Sequence, residues 1–93
     1  MAARSGPWRF HDSHLTRAVD AWKSDHHPST AQIAAFYDWA AEVAEIGPTG
    51  DPAMPAGDED EWLSRVPEAH AIVSYLAVAQ DRVVFVRSIE PTW

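Results

Sequence analysis

The sequence contains no cysteine, so neither a disulfide framework nor a thiolate metal site is available to it. It has a single lysine, Lys23, among seven basic residues, set against fourteen acidic ones for a formal net charge of −7. Nonspecific attachment to a phosphate backbone depends on clustered Lys and Arg, so direct binding of free nucleic acid is not expected. No apolar run approaches the roughly 20 residues of a membrane-spanning helix, and the stretch MAARSGPWRF lacks the apolar core of a signal peptide. These absences predict a soluble, cytoplasmic protein with no membrane partner. Glycine is scarce, and three of the four glycines lie between Gly47 and Gly57. None of them opens a phosphate-binding loop with a following lysine, and no serine stands in a nucleophile-elbow context.

What the chain does have is an apolar fraction of 46% and five tryptophans in 93 residues. That suits one folded domain over residues 1–93, with little room for a second core. Charge is unevenly placed. Five acids crowd between Asp51 and Glu61, while Arg65, Arg82 and Arg87 all follow.

Trp8-Arg9-Phe10 is a short β candidate, and Asp12 or Ser13 is placed to cap a helix behind it. Leu15, Ala18, Val19 and Trp22 then recur at the spacing of one buried helical stripe. Asp25-His26-His27-Pro28 ends that helix, because the residue before a proline avoids helical dihedrals. Ser29 or Thr30 starts a second helix with the stripe Ile33, Phe36, Tyr37, Ala40, Val43 and Ala44, stopped by Gly47-Pro48. Two such helices in succession read as an antiparallel hairpin. The segment 47–60, rich in proline, glycine and acid, reads as a long loop, either a flexible connection or a functional one.

Beyond it the periodicity changes. Trp62 to Val66 reads as a strand ended by Pro67, Ala69 to Ala79 as a second, and Arg82 to Glu90 as a third, with a turn at Gln80-Asp81. A two-residue turn sets Ala79 opposite Arg82. The face with the larger side chains, His70, Ile72, Ser74, Leu76 and Val78, is then expected under the helices. Arg82 and Arg87, an odd number of residues apart, leave the strand on opposite faces. Arg87 falls opposite Ser74 on the covered face, where a buried charge must reach the edge or find an acid.

The order is α+β: a short N-terminal strand, a helical hairpin, then a three-stranded antiparallel meander. With this β-α-α-β-β-β order and length, the chain from Trp8 to Ile89 resembles the RelE/ParE superfamily of bacterial toxin–antitoxin pairs. IVSYLAVAQDRVVFVRSIEP looks like the family's C-terminal pattern, an aromatic-bearing strand, a turn and an apolar strand. Trp62-Leu63-Ser64-Arg65-Val66 stands where the preceding strand of such toxins lies. The resemblance implies an antitoxin partner and one of two activities. RelE-like members cleave messenger RNA on the ribosome, in which case Arg65, Tyr75 and Arg82 stand at strand positions comparable to the functional ones. An arginine would then steady phosphate charge, and Tyr75 would stack on a base or move a proton. ParE-like members instead poison DNA gyrase by protein contact. The acidic balance and the single lysine place this chain nearer to the protein-binding branch.

For such contact, or for the alternative of a non-catalytic interaction module such as a phage-encoded or accessory host-factor inhibitor, the candidate surface is Asp58, Glu59 and Asp60 together with Trp62 and Trp93, an acidic run beside aromatic anchors. A solvated charge run is the plain alternative. His11 and His14, three residues apart, read as helix-start polar residues, because two imidazoles without a third ligand do not make a metal site. His26 and His27 fit a helix end, and His70 fits a partnered core or edge histidine. Neither a metal nor another cofactor is expected.

Overall fold

In a computed structural model, residues 7–56 and 59–92 are described. The chain forms β1 (Arg9–Phe10), α1 (Asp12–His26), α2 (Thr30–Ile46), β2 (Asp51–Ala56), β3 (Glu59–Val66), a 3-10 turn at Pro67–Ala69, β4 (Ala71–Val78) and β5 (Val83–Pro91). The strands make one mixed sheet in the order β1-β5-β4-β3-β2, with β1 parallel to β5 and every other pair antiparallel. The expected α+β order stands, with one strand more than the sequence suggests. Segment 47–60 is not wholly a loop. Asp51–Ala56 pairs with β3, which itself begins at Glu59 rather than at Trp62. Two prolines in six residues mask β2 from pattern reading, yet proline is tolerated on an edge strand.

Local chemistry sets the helix ends. Ser29 and Gln32 form a reciprocal capping box at the start of α2. Gln32 also donates to the Ala69 carbonyl at 3.2 Å, tying α2 to the 3-10 turn. The cap of α1 is His11, one residue before the expected Asp12 or Ser13. Gly50, at φ +108°, passes so close to β3 that an added Cβ would lie 2.3 Å from the Leu63 carbonyl oxygen.

The core faces the other way from the sequence expectation. Ala71, Val73, Tyr75 and Ala77 are buried under the helices, while Ile72, Ser74, Leu76 and Val78 are only half-covered on the opposite face. The reason is volume. The helices contribute Trp22, Phe36, Trp39 and Val43 to the core, and close packing against such bulk needs small partners on the sheet. His70 is displaced with the register. It is an exposed residue at φ 53°, capping the 3-10 turn, not a member of an apolar face.

Candidate functional site

The β4–β5 pairing positions the site. Val78 pairs with Val83 across a four-residue turn, and the simple register holds as far as Tyr75 opposite Val86. A β-bulge follows, so Ser74 faces Ser88 and Arg87 is the extra residue. The expectation that Arg87 sits opposite Ser74 beneath the helices is thereby corrected. The face shared by Glu61, Leu76 and Phe85 is the one left open by the helices, and on it Arg87 forms an ion pair with Glu61 of β3. That pairing supplies the acid which a charge in this strand requires.

Arg87 and Glu61 lie in a cleft of about 880 Å³ between α1 and β5. One wall is α1, with His14, Arg17 and Asp25. Leu76 and Phe85 contribute apolar surface, and Ser88 and Glu90 continue the strand side. Guanidinium, imidazole and carboxylate groups therefore line one concave surface with an apolar base. Such a combination suits a polar segment of a partner molecule. Among the described residues, no group of three or more His, Asp or Glu side chains is placed to hold a metal ion. No helix among them is long and apolar enough to cross a membrane.

The structure does not bring Arg65, Tyr75 and Arg82 together. Arg65 pairs with Ile72 and is exposed on the face away from the helices. Tyr75 is fully buried on the helix face. Its hydroxyl donates to the Thr49 carbonyl at 2.5 Å and accepts from the Thr49 N–H at 2.9 Å, latching the chain after α2. Burial pushes the Tyr75 phenol up from its ordinary value, with the Thr49 backbone contact acting the other way. Arg82 occupies the β4–β5 turn at φ 54°, and its carbonyl receives the Arg9 N–H. Seven residues separate Ile72 from Ala79, so Arg65 and Arg82 stand about 23 Å apart along β4.

Of the expected contact residues, Asp58 and Trp93 lie outside the described residues. Glu59 and Asp60 form the start of β3, opposite Ala56 and Pro55 of β2, and their side chains are likewise outside the description. Trp62 is half-buried and stacked on Tyr75 at 6.5 Å, its indole N–H covered and without a described partner.

The cleft residues His14, Arg17, Glu61 and Arg87 are absent from the candidate sites read from sequence. One signal was available for Arg87. The buried positions of β5 are Val83, Val84, Val86 and Ile89, and the last two are three residues apart where the bulge falls.

No protein-family model matches the chain, and no curated protein sequence matches it. Among solved structures it is similar to one titled as the archaeal RelE–RelB complex from Pyrococcus horikoshii OT3. The identity is 17%, the TM-score 0.69, and the match covers 95% of this chain and 96% of that one. A TM-score of this size over nearly the whole of both chains shows that this chain has a RelE-like fold.

Proposed function

We propose that this protein is a toxin-like growth inhibitor that acts by binding a protein component of a cellular machine, such as gyrase or the ribosome, and is neutralised by an antitoxin. The RelE-like fold supports the toxin reading, and the similar structure, being a RelE–RelB complex, supports an antitoxin partner. The choice of protein contact over RNA cleavage is carried by one observation. Tyr75 is buried on the face opposite Arg65, so the tyrosine and arginine groups that a cleavage site would combine do not converge. The net charge of −7 favours the same choice, since it opposes an RNA backbone. The contact surface on this reading combines the cleft with the acidic stretch Asp58, Glu59 and Asp60 and with Trp62 and Trp93. The cytoplasm is where such a protein would meet its target.

The competing reading, a ribosome-dependent mRNA endonuclease, draws support from Arg65 and Arg87, both exposed. Purified protein added to a translating extract, with mRNA ends mapped, separates the two. Inhibition without new ends is expected, and ribosome-dependent cuts would reverse the choice. Induced expression in a bacterium lacking any antitoxin should arrest growth. Unimpaired growth would instead favour an interaction module without toxin activity.

A further inference from the structure

The first turn of α1 holds two imidazoles in direct contact. Nδ1 of His14 lies 2.8 Å from Nδ1 of His11, and the backbone N–H of His14 is aimed at the same His11 nitrogen at 3.4 Å. A hydrogen bond between two ring nitrogens needs one proton and one lone pair. His11 caps the helix by accepting from the His14 N–H, so its Nδ1 carries the lone pair. The shared proton therefore belongs to Nδ1 of His14. In neutral His14 this places the lone pair on Nε2, which no described residue hydrogen-bonds.

Phe85 holds both rings, stacked against His11 at 4.9 Å and met edge-on by His14 at 5.1 Å. Of the two histidines only His14 lines the cleft. With Nδ1 turned to His11, Nε2 is the nitrogen left for a ligand. Arg17, three residues on, lines the same wall, and residues at this spacing are neighbours on a helix surface. Across the cleft, the Arg87 charge is engaged by Glu61. Asp25 and His26 belong to the other end of α1, about 16 Å along the axis from His14. Glu90 lies five residues beyond Phe85, a similar distance along β5. The head of the cleft thus has imidazole and guanidinium beside the Glu61–Arg87 pair, which stands in register with Phe85, while Asp25 and Glu90 lie at the tail. Arg17 also shares a neighbouring concavity with Asp12 and Asp20.

We propose that His14 and Arg17 form a proton-linked oxyanion site at the head of the cleft, with His11 as the positioning residue that holds His14 in its Nδ1–H tautomer. A proton taken up on Nε2 of His14 leaves the bond to His11 intact and creates a donor toward a carboxylate or phosphate oxygen. Arg17 supplies a second charge-assisted donor. A proton placed on Nδ1 of His11 would instead remove both the bond and the helix cap, so uptake is directed to His14. The site stands independently of the toxin reading.

Nitrogen NMR of the histidine rings in the full-length protein tests this. Wild-type His14 is expected as the Nδ1–H tautomer. His11→Ala should return it to the Nε2–H form that free imidazole prefers, whereas His11→Asn, whose Oδ1 can accept the same bond and cap the helix, should retain it. Inorganic phosphate or acetate should shift the His14 Nε2 resonance. Arg17→Ala should weaken that response roughly tenfold, the order of one hydrogen bond to a charged group. A response to either anion supports the site and identifies the oxyanion class. Wild-type His14 found as Nε2–H, an Nε2 resonance unmoved by both anions, or an equal response at His26 would overturn the proposal.

Discussion

Arg87, the extra residue of the β5 bulge between Val86 and Ser88, reaches across β4 to pair with Glu61 of β3. The pair is half-open to water, with side-chain exposures of 53% for Arg87 and 27% for Glu61. Screening therefore keeps its worth to folding under about 1 kcal/mol. Its significance is positional, because it fixes the only guanidinium on the strand side of the cleft among the described residues.

Arg87→Ala should leave the denaturation midpoint almost unchanged while reducing the proposed growth inhibition on induced expression. Glu61→Gln should likewise be mild for stability. If Arg87→Ala arrests growth as strongly as wild type, the cleft is not the contact surface.

The buried hydrogen bond from the Trp39 indole N–H to Ser64 Oγ, 2.8 Å long, is a structural feature of a different kind. Ser64→Ala leaves that N–H without a partner in the core, at a cost of about 1–3 kcal/mol. A double-mutant cycle with Trp39→Phe, followed by urea denaturation, should show a coupling of at least about 0.5 kcal/mol. Additive effects would show that the bond contributes nothing specific.

Alkaline stability should report Tyr75. Its phenol is pushed up by burial, so the folded state holds the proton more tightly than the unfolded chain. The associated stability is fully present below the unfolded value of about 10 and is lost as pH rises from there through the folded pKa. Tyr75→Phe should abolish this alkaline slope. It also removes both contacts to Thr49, so its neutral-pH stability should fall by about 1 kcal/mol. An unchanged slope in Tyr75→Phe would assign the effect elsewhere.

Gly50→Ala should be costly for two independent reasons. The positive φ alone amounts to about 1–3 kcal/mol for a side-chain-bearing residue, and the new Cβ would sit 2.3 Å from a backbone oxygen of β3. Thermal unfolding that moves by less than the roughly 0.5 kcal/mol typical of surface changes would contradict the close approach of these two segments.

Much of the architecture was legible because short-range chemistry dictates it. The stripe through Ala18, Val19 and Trp22, the capping residue Ser29 and the stop at Gly47-Pro48 act over one or two helical turns, and all appear as expected. The site was less legible. Side-chain size along β4 points to the wrong sheet face, because the helices fill the core with Trp22, Phe36 and Trp39. Small residues therefore turned inward, carrying Tyr75 with them and placing Arg65 on the opposite face. β2 was hidden by Pro52 and Pro55, whose missing N–H groups are harmless only because the strand lies at the edge.

By itself the sequence determined the short first strand, the helical hairpin and the three later strands in their order, together with the acidic balance and the lack of cysteine, since each follows from composition or from periodicities spanning a few residues. Tertiary structure decided which sheet face is covered, where the β4–β5 register slips, and that His14, Arg17, Glu61 and Arg87 meet around one cleft. Those outcomes depend on volume matching and strand pairing between segments tens of residues apart. No local pattern encodes such long-range packing.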